Sequence, residues 1–206
     1  MENKLLEAMK FRHAAKEFDT TKSIDEETFN QILEAGRLSP SSFGLEHTKF
    51  IVVENPELKE KLQEASFNQK QVTTASQVVI ILSRIKDVMS NSAYAKELFE
   101  SRMPKEASEF LINFHGSFTQ NFSEDEIAHW SKKQAYISAA NMMTMAAYLG
   151  ADSCPMEGFV ESQVQEILGI DPKEYGVAMV LPFGYRNQEP RPKTRHELKE
   201  IVEFRK

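Results

Sequence analysis

The sequence predicts an α+β domain in which a small mixed β-sheet is surrounded by helices. Short apolar runs indicate the strands, and they fall at residues 50–53, 77–83, 151–156 and 177–181. Stretches with helical spacing of apolar residues separate these runs, so most successive strands cannot be joined by hairpins. The 206 residues are also the usual length of one domain, and we expect a single domain over residues 1–206.

Helix signals are clear in the first half of the chain. Ser23 and Glu26 have the spacing of a capping box, in which a hydroxyl and a carboxylate bind the first free N–H groups of a helix. Asn55 and Pro56 are typical of a helix start as well. The elements predicted here are a helix over 4–10, a helix that begins at 23 and is ended by a loop over 39–44, and a helix over 55–65.

The middle of the chain, residues 86–122, is rich in Phe and predicts helical pieces that are broken at Pro104 and Gly116. A second capping box follows, because Ser123 is three residues ahead of Glu126. It predicts the start of a long helix.

The long helix is expected to end at Gly150, which can adopt the left-handed conformation of a helix cap. Residues 136–149 are apolar nearly all round, which is typical of a helix buried on every side, in a domain centre or at a subunit interface. The remaining predicted elements are a helix over 160–168, closed by Gly169, and a charged C-terminal tail.

Composition excludes several classes of protein. A single cysteine cannot form an internal disulfide or a cysteine zinc cage. A net charge of −6 disfavours a main role in binding nucleic acid, which requires a basic surface. No uncharged apolar run reaches the ~18–20 residues of a membrane span, so we expect a cytoplasmic protein that binds neither membranes nor nucleic acid.

General motifs of catalysis are absent from the sequence. There is no Gly-x-Gly pair, no phosphate-binding glycine loop, and no His spacing typical of a metal site, so we expect no bound metal. With only 8 glycines, the chain also has little material for a glycine cradle. Cys154 beside an apolar strand is more often a packing residue than a nucleophile.

Four separated segments, in this order and spacing, resemble motifs of the nitroreductase family, the FMN-dependent NAD(P)H oxidoreductases. They are residues 11–19, 39–42, 155–159 and 192–195. The resemblance implies a nitroreductase-like fold, a homodimer and FMN as cofactor. It also implies that NADH or NADPH reduces the flavin, which performs the chemistry, so no side chain is assigned as catalytic.

Two Arg/Lys pairs come from opposite ends of the chain and suit the phosphate of FMN, because convergent Arg and Lys side chains can bind phosphate without a glycine loop. By resemblance, Arg12 serves the phosphate or ribityl chain and Lys16 the pyrimidine edge, while Lys193 and Arg195 contact the phosphate. Taken alone, either pair is also typical of a solvated basic surface.

The resemblance implies further cofactor contacts. The loop that contains Ser41 reaches the flavin of the partner subunit, and Gly158 lies in a turn whose N–H groups can bind flavin N5 and O4. The alternatives are an ordinary helix stop and an ordinary strand-to-helix turn. The remaining predicted cofactor residues are His13, Ala14, Pro40, Ser42, Asn68, Pro155, Met156 and Glu157.

For the substrate, Gln71 stands where many members of the family have a Lys that meets the nicotinamide. Phe110 and Phe114 belong to the Phe-rich segment, which is expected to form an aromatic wall over the site or, alternatively, to fill the core. Two departures from the family pattern are Ala14 in place of a Ser, and residues 43–47 in place of Asn-x-Gln-Pro-Trp.

The function we expect is reduction of nitroaromatics, quinones or similar flat acceptors by ping-pong hydride transfer. The alternatives are a flavin-binding module for storage, sensing or regulation, without significant turnover, and a helical scaffold without a cofactor.

Overall fold

The computed structural model describes residues 3–206 and confirms the α+β class. The strands are β1 (Thr48–Val53), β2 (Gln77–Arg84), β3 (Asp152–Ser153) and β4 (Tyr175–Gly184). They form one sheet in the order β1-β2-β4-β3, with every pair antiparallel. An isolated parallel bridge, outside the strands, joins Ala14 to Ser153 at the β3 edge.

Helices surround this sheet, and several of the predicted boundaries are confirmed. Ser123 begins the long helix with a complete capping box, and Gly150 and Gly169 follow helix ends with φ of +82° and +64°. The helices are α1 (Lys4–Phe11), α2 (Glu26–Arg37), α3 (Pro56–Ala65), α4 (Gln71–Thr74), α5 (Ala93–Arg102), α6 (Lys105–Thr119), α7 (Glu124–Tyr148), α8 (Glu161–Leu168) and α9 (Leu198–Ile201).

The sheet is buried on both faces, which explains why β2 is an unbroken apolar run although its neighbours are antiparallel. Side chains alternate between faces along a strand. Thus Ile80 packs in a core beneath α3 and α8, and its neighbour Ile81 packs in a second core beneath α2 and α7. A third, aromatic core, which includes Phe99 and Trp130, lies between α5, α6 and the start of α7.

The predicted capping box at Ser23 is wrong. Ile24 is buried and its N–H donates to the Ser76 hydroxyl at 2.9 Å, so the chain is still extended at this point. The helix begins two residues later, where the Asp25 carboxylate accepts from the Thr28 N–H at 2.8 Å.

Pro104 separates α5 from α6 as predicted, but the predicted break at Gly116 is wrong. Gly116 lies inside α6, and its carbonyl accepts a hydrogen bond from the Ser90 hydroxyl at 3.2 Å. A single glycine weakens a helix by about 1 kcal/mol without removing any backbone hydrogen bond, so α6 continues to Thr119.

Helix α7 is not buried on every side within one chain. Tyr136, Ile137 and Tyr148 are 39%, 39% and 52% exposed, because α1 and α2 cover other sides of this helix. Burial of the exposed side in a dimer stays a prediction. In residues 3–206, α7 and the other helices lack the length of uninterrupted apolar sequence that crossing a membrane requires.

Candidate functional site

Three cations from the two ends of the chain meet at the end of α1. The Lys193 ammonium donates to the carbonyl of Met9, at 2.6 Å, and to the carbonyl of Arg12. These are among the last carbonyls of α1, which attract cations. Partial burial and the charges of Arg12 and Arg195 lower the pKa of Lys193, so both guanidinium groups are close enough to act on this ammonium.

Within residues 3–206, no carboxylate lies within ion-pair distance of these cations. In the described part of the chain, residues 3–206, the ion pairs use other cations, and none joins an acid to Arg12, Lys16, Lys193 or Arg195. Cations held together without an acid suit an anionic ligand that carries more than one charge, such as a phosphate monoester. The residues present therefore fit the phosphate of FMN.

His13 faces a different group of side chains from its neighbour Arg12. Its Nδ1 is 3.1 Å from the Arg186 guanidinium and 3.6 Å from the Asp152 carboxylate. Asp152 is buried and accepts from the backbone N–H of Arg186 at 3.0 Å, with the guanidinium Nε at 3.3 Å. The guanidinium also lies 4.1 Å above the Phe11 ring. This cluster fixes the segment after α1 to the end of β4.

Lys16 lies beside the beginning of the third motif. The Ala15 N–H donates to the Ser153 carbonyl at 3.2 Å, which places the Lys16 ammonium 3.9 Å from the Cys154 sulfur. Burial raises the pKa of the Cys154 thiol, and the Lys16 charge opposes this shift. The first and third motifs, remote in sequence, are thus adjacent in space.

Gln71 is also directed at Cys154. Its amide nitrogen is 3.8 Å from the sulfur and donates to the Gln69 side chain at 3.0 Å. The side chain is only 3% exposed, so as placed it packs beneath the site and does not reach a surface that a nicotinamide could contact.

The turn over residues 155–158 is held at several points. Met156 exchanges both backbone hydrogen bonds with Val180, at 3.0 and 3.1 Å. The Gly158 carbonyl accepts from the Gln69 amide at 2.8 Å, and a Cβ at Gly158 would lie 3.2 Å from that nitrogen. The Glu157 carboxylate accepts from the Tyr136 hydroxyl at 2.7 Å. Pro155, the first residue of this turn, is half-buried.

The residues before Gln69 have unusual backbone geometry. Phe67 and Asn68 both have positive φ, +54° and +57°, a conformation that is uncommon for a residue such as Phe. The Phe67 ring lies 3.6 Å from the Cβ position of Gly158 and is 64% exposed. The fold therefore brings the exposed Asn68 next to the turn that contains Gly158, as the predicted cofactor contacts require.

The loop over 39–42 is fixed to the side of α7. The Asn141 amide donates to the Ser39 hydroxyl at 2.8 Å, and the Ser42 N–H donates to the Gln134 side chain at 3.0 Å. The Ser41 hydroxyl accepts from the N–H of Glu46 at 3.0 Å. Pro40 lies within this loop. The loop is therefore positioned by α7.

His47 supports the same loop from inside the protein. Its ring nitrogens lie 3.2 Å from the Ser131 hydroxyl and 3.3 Å from the Ser42 carbonyl. Burial lowers the pKa of His47 to about 4, so the imidazole is neutral at pH 7. This histidine is part of the segment in which the sequence departs from the family pattern.

The predicted site residues fall in two groups on opposite sides of α7. Gln134 and Asn141 hold the loop, and at 3.6 residues per turn they lie within about 20° of each other around the helix axis. Tyr136 holds the turn at Glu157 and lies about 160° from Gln134 around the same axis. A helix with its side chains is about 10 Å across. Ser41 and Glu157 therefore lie on opposite sides of this helix.

Phe110 and Phe114 form an exposed aromatic stripe on α6. Their rings stack at 5.9 Å and are 66% and 53% exposed, so these two are not core residues. Phe114 also contacts Phe43, at 5.6 Å between ring centroids, and Phe43 follows Ser42. The stripe is thus on the loop side of the molecule.

Sequence reasoning missed four residues of this region: Gln69, Tyr136, Asp152 and Arg186. An Asp next to an apolar strand was a usable signal, because a buried carboxylate requires a partner. The other three contact the site through long-range pairing, and nothing in their local sequence indicates it.

Arg and Lys side chains can hold the phosphate of a mononucleotide without a glycine loop. Together with this fold, they place the molecule in the class of oxidoreductases. Within that class, the chain belongs to the Nitroreductase family, whose model matches residues 9–185. It is therefore an enzyme of an oxidoreductase family.

Relatives of similar length are named as NAD(P)H nitroreductases. The chain is 44% identical to SH0546 of Staphylococcus haemolyticus, a protein that is named as an NAD(P)H nitroreductase. The match covers 99% of this chain and 98% of that protein. It is 41% identical to YfkO of Bacillus subtilis, also named for NAD(P)H nitroreductase activity, with the same coverage.

Solved structures share the fold. The crystal structure of ydfN from Bacillus subtilis, described as a nitroreductase, superposes with a TM-score of 0.85 at 29% identity, covering 96% of this chain and 97% of that one. A structure from Exiguobacterium sibiricum, described as a nitroreductase in complex with FMN, has a TM-score of 0.86 at 24% identity and covers 100% and 99% of the two chains.

Proposed function

We propose that this enzyme is a homodimer that transfers hydride from NADH or NADPH to nitroaromatics, quinones or similar flat acceptors by a ping-pong mechanism. A cytoplasmic location, where both nicotinamides are produced, is part of the proposal. The observation that carries it is a set of four cations without a carboxylate partner in the described chain: Arg12, Lys193 and Arg195 at the end of α1, and Lys16 beside Cys154.

In this proposal Arg12, Lys193 and Arg195 bind the phosphate of FMN. Lys16, which lies deeper and beside Cys154, binds the pyrimidine edge. A cation there stabilises negative charge on the reduced ring and raises its potential. Ala14 offers no hydroxyl, and His13 is already bound to Arg186, so these two positions contribute backbone and shape to the site.

The turn over 155–158 and Asn68 complete the part of the site that one chain provides. The N–H groups of Glu157 and Gly158 are assigned to the N5–O4 edge, and Asn68 to the pyrimidine ring. When bound, FMN supplies the hydride acceptor and donor. The protein positions it, holds the substrates and excludes water, so we assign no side chain to acid–base catalysis.

The aromatic stripe of Phe110 and Phe114 is assigned to the substrates. An exposed pair of stacked rings suits flat aromatic partners, which bind through their faces. The nicotinamide and the acceptor would use the same surface in turn, and this is why a ping-pong order follows. Gln71 is left out of the substrate contacts because it is buried.

The homodimer follows from the two groups of residues on opposite sides of α7. A flavin at Glu157 of one chain can meet Ser41 and Ser42 only if they come from a second chain. The exposed apolar side chains of α1 and α7 provide a surface for such a partner; they include Leu5, Met9, Ile137 and Tyr148.

The test is FMN binding by the wild type and by Lys193→Ala/Arg195→Ala. Charge-assisted hydrogen bonds contribute about 1.5–3 kcal/mol each, so we expect the dissociation constant of FMN to rise by at least ~100-fold. The matched control is Lys199→Ala/Arg205→Ala, which removes two exposed cations of the same tail and should leave the affinity unchanged.

Unchanged FMN affinity in Lys193→Ala/Arg195→Ala would refute the assignment of the phosphate. Turnover is tested separately, by adding NADH or NADPH to the FMN-loaded protein without oxygen. Loss of the flavin absorbance at about 450 nm, and its return with a quinone or nitroaromatic, supports the enzyme proposed here. A flavin that stays oxidised with both nicotinamides contradicts it and favours a binding module.

A further inference from the structure

Tyr136 and Glu157 form a pair that the proposed function leaves unexplained. The Tyr136 hydroxyl donates to the Glu157 carboxylate at 2.7 Å, and partial burial together with this carboxylate raises the pKa of Tyr136 to about 12. In residues 3–206 no cation lies within ion-pair distance of Glu157, so the phenol is the polar side chain that holds this carboxylate.

The backbone around Glu157 is held by other contacts. Met156 is paired with Val180 on one side, and the Val160 N–H donates to the Ala65 carbonyl at 2.8 Å on the other. Gln69 binds the carbonyl of Gly158. Because these bonds do not involve Tyr136, the phenol determines where the carboxylate lies and not whether the turn forms.

We infer that Tyr136 is a positioning residue that holds the negative charge of Glu157 against α7, and that this charge would otherwise act on the flavin. The inference rests on the proposed function, which places the Glu157 and Gly158 N–H groups at the edge of the ring. Without the phenol, the carboxylate is free to adopt rotamers nearer to those N–H groups. A negative charge there disfavours the reduced, anionic flavin relative to the oxidised one.

The experiment measures FMN affinity in both oxidation states and the midpoint potential, in the full-length protein. In Tyr136→Phe we expect the ratio of reduced to oxidised dissociation constants to rise about fivefold, which equals a fall of about 21 mV in the two-electron potential. Glu157→Gln removes the charge, so the ratio should not rise. In the double variant it should equal that of Glu157→Gln alone, since two groups that act through one contact are not additive.

The matched control is Tyr148→Phe. Tyr148 is 52% exposed on the same helix, and its hydroxyl has no hydrogen-bond partner in the described residues, so its removal should leave the ratio unchanged. A ratio in Tyr136→Phe equal to that of the wild type overturns the inference.

Two other outcomes are decisive. If the rise in Tyr136→Phe persists unchanged in the Glu157→Gln background, the effect belongs to the surface of α7 and the inference is wrong. If the wild type fails to bind FMN, the proposed function fails together with the inference. Bound FMN with an unchanged ratio therefore rejects the inference alone.

Discussion

His47 makes the stability of this protein depend on pH, and the structure gives the size of the effect. The histidine is fully buried, and burial lowers its pKa from 6.5 to about 4. Its folded-state pKa is below its unfolded value, so the unfolded chain binds the proton first as the pH falls. The contribution of His47 to the free energy of unfolding is therefore retained at pH 7 and lost progressively between about pH 6.5 and pH 4.

The magnitude follows from the two pKa values. Between pH 7 and pH 5 the difference in proton binding removes about 2 kcal/mol from the free energy of unfolding. His115 is also buried, and burial lowers its pKa too, so it adds a loss of the same sign. The wild type should therefore lose at least this amount, beyond what the carboxylates contribute.

The assay compares the wild type with His47→Gln, which cannot take up the proton. Guanidinium unfolding at pH 7, 6 and 5, followed by circular dichroism and by the fluorescence of the single tryptophan, Trp130, gives the free energy for each. Subtracting one pH profile from the other cancels the contributions of the carboxylates and of His115 to the free energy of unfolding. A difference that stays constant from pH 7 to pH 5 would show that His47 is not held neutral by burial.

Three further predictions follow from side-chain contacts. A Cβ at Gly36 would lie 2.9 Å from the Met142 sulfur, so Gly36→Ala should lower the free energy of unfolding by about 1–3 kcal/mol, measured by denaturant unfolding. Arg186→Ala leaves the buried Asp152 without its guanidinium and should cost about 2–3 kcal/mol in the same assay, less than a fully buried pair. Phe114→Ala should raise the KM for aromatic acceptors by about tenfold without changing FMN affinity, and equal KM values in steady-state kinetics would contradict its assignment.

Local signals predicted much of the fold. The apolar run of β2 and the capping box at Ser123 depend on neighbouring residues only, and both are confirmed. The start of α2 could not be predicted in the same way, because it depends on Ile24 being held in the core through Ser76, far along the chain. Gly116 shows the converse, since a single residue that weakens a helix does not end it when the backbone hydrogen bonds continue past it.

For the candidate site, the sequence indicates the cations but not the contacts that position them. Arg12, Lys16, Lys193 and Arg195 were identified by residue type and order, and the first, third and fourth meet at the end of α1. Their neighbours were not predicted, because the pairing of Asp152 with Arg186 arises only when β3 and β4 come together. The burial of Gln71 depends on Cys154, 83 residues away, for the same reason.

The position of the two site groups on opposite sides of α7 has a genetic consequence in the proposed dimer. Suppose that one chain carries an inactivating substitution in the loop at Ser41 and another among the cations at Lys193. In the proposed dimer these two substitutions would then affect different active sites. Two inactive alleles, one with each defect, should complement each other, because one of the two sites in a mixed dimer would inherit both intact halves. The unit on which selection acts at this site would thus be a pair of chains.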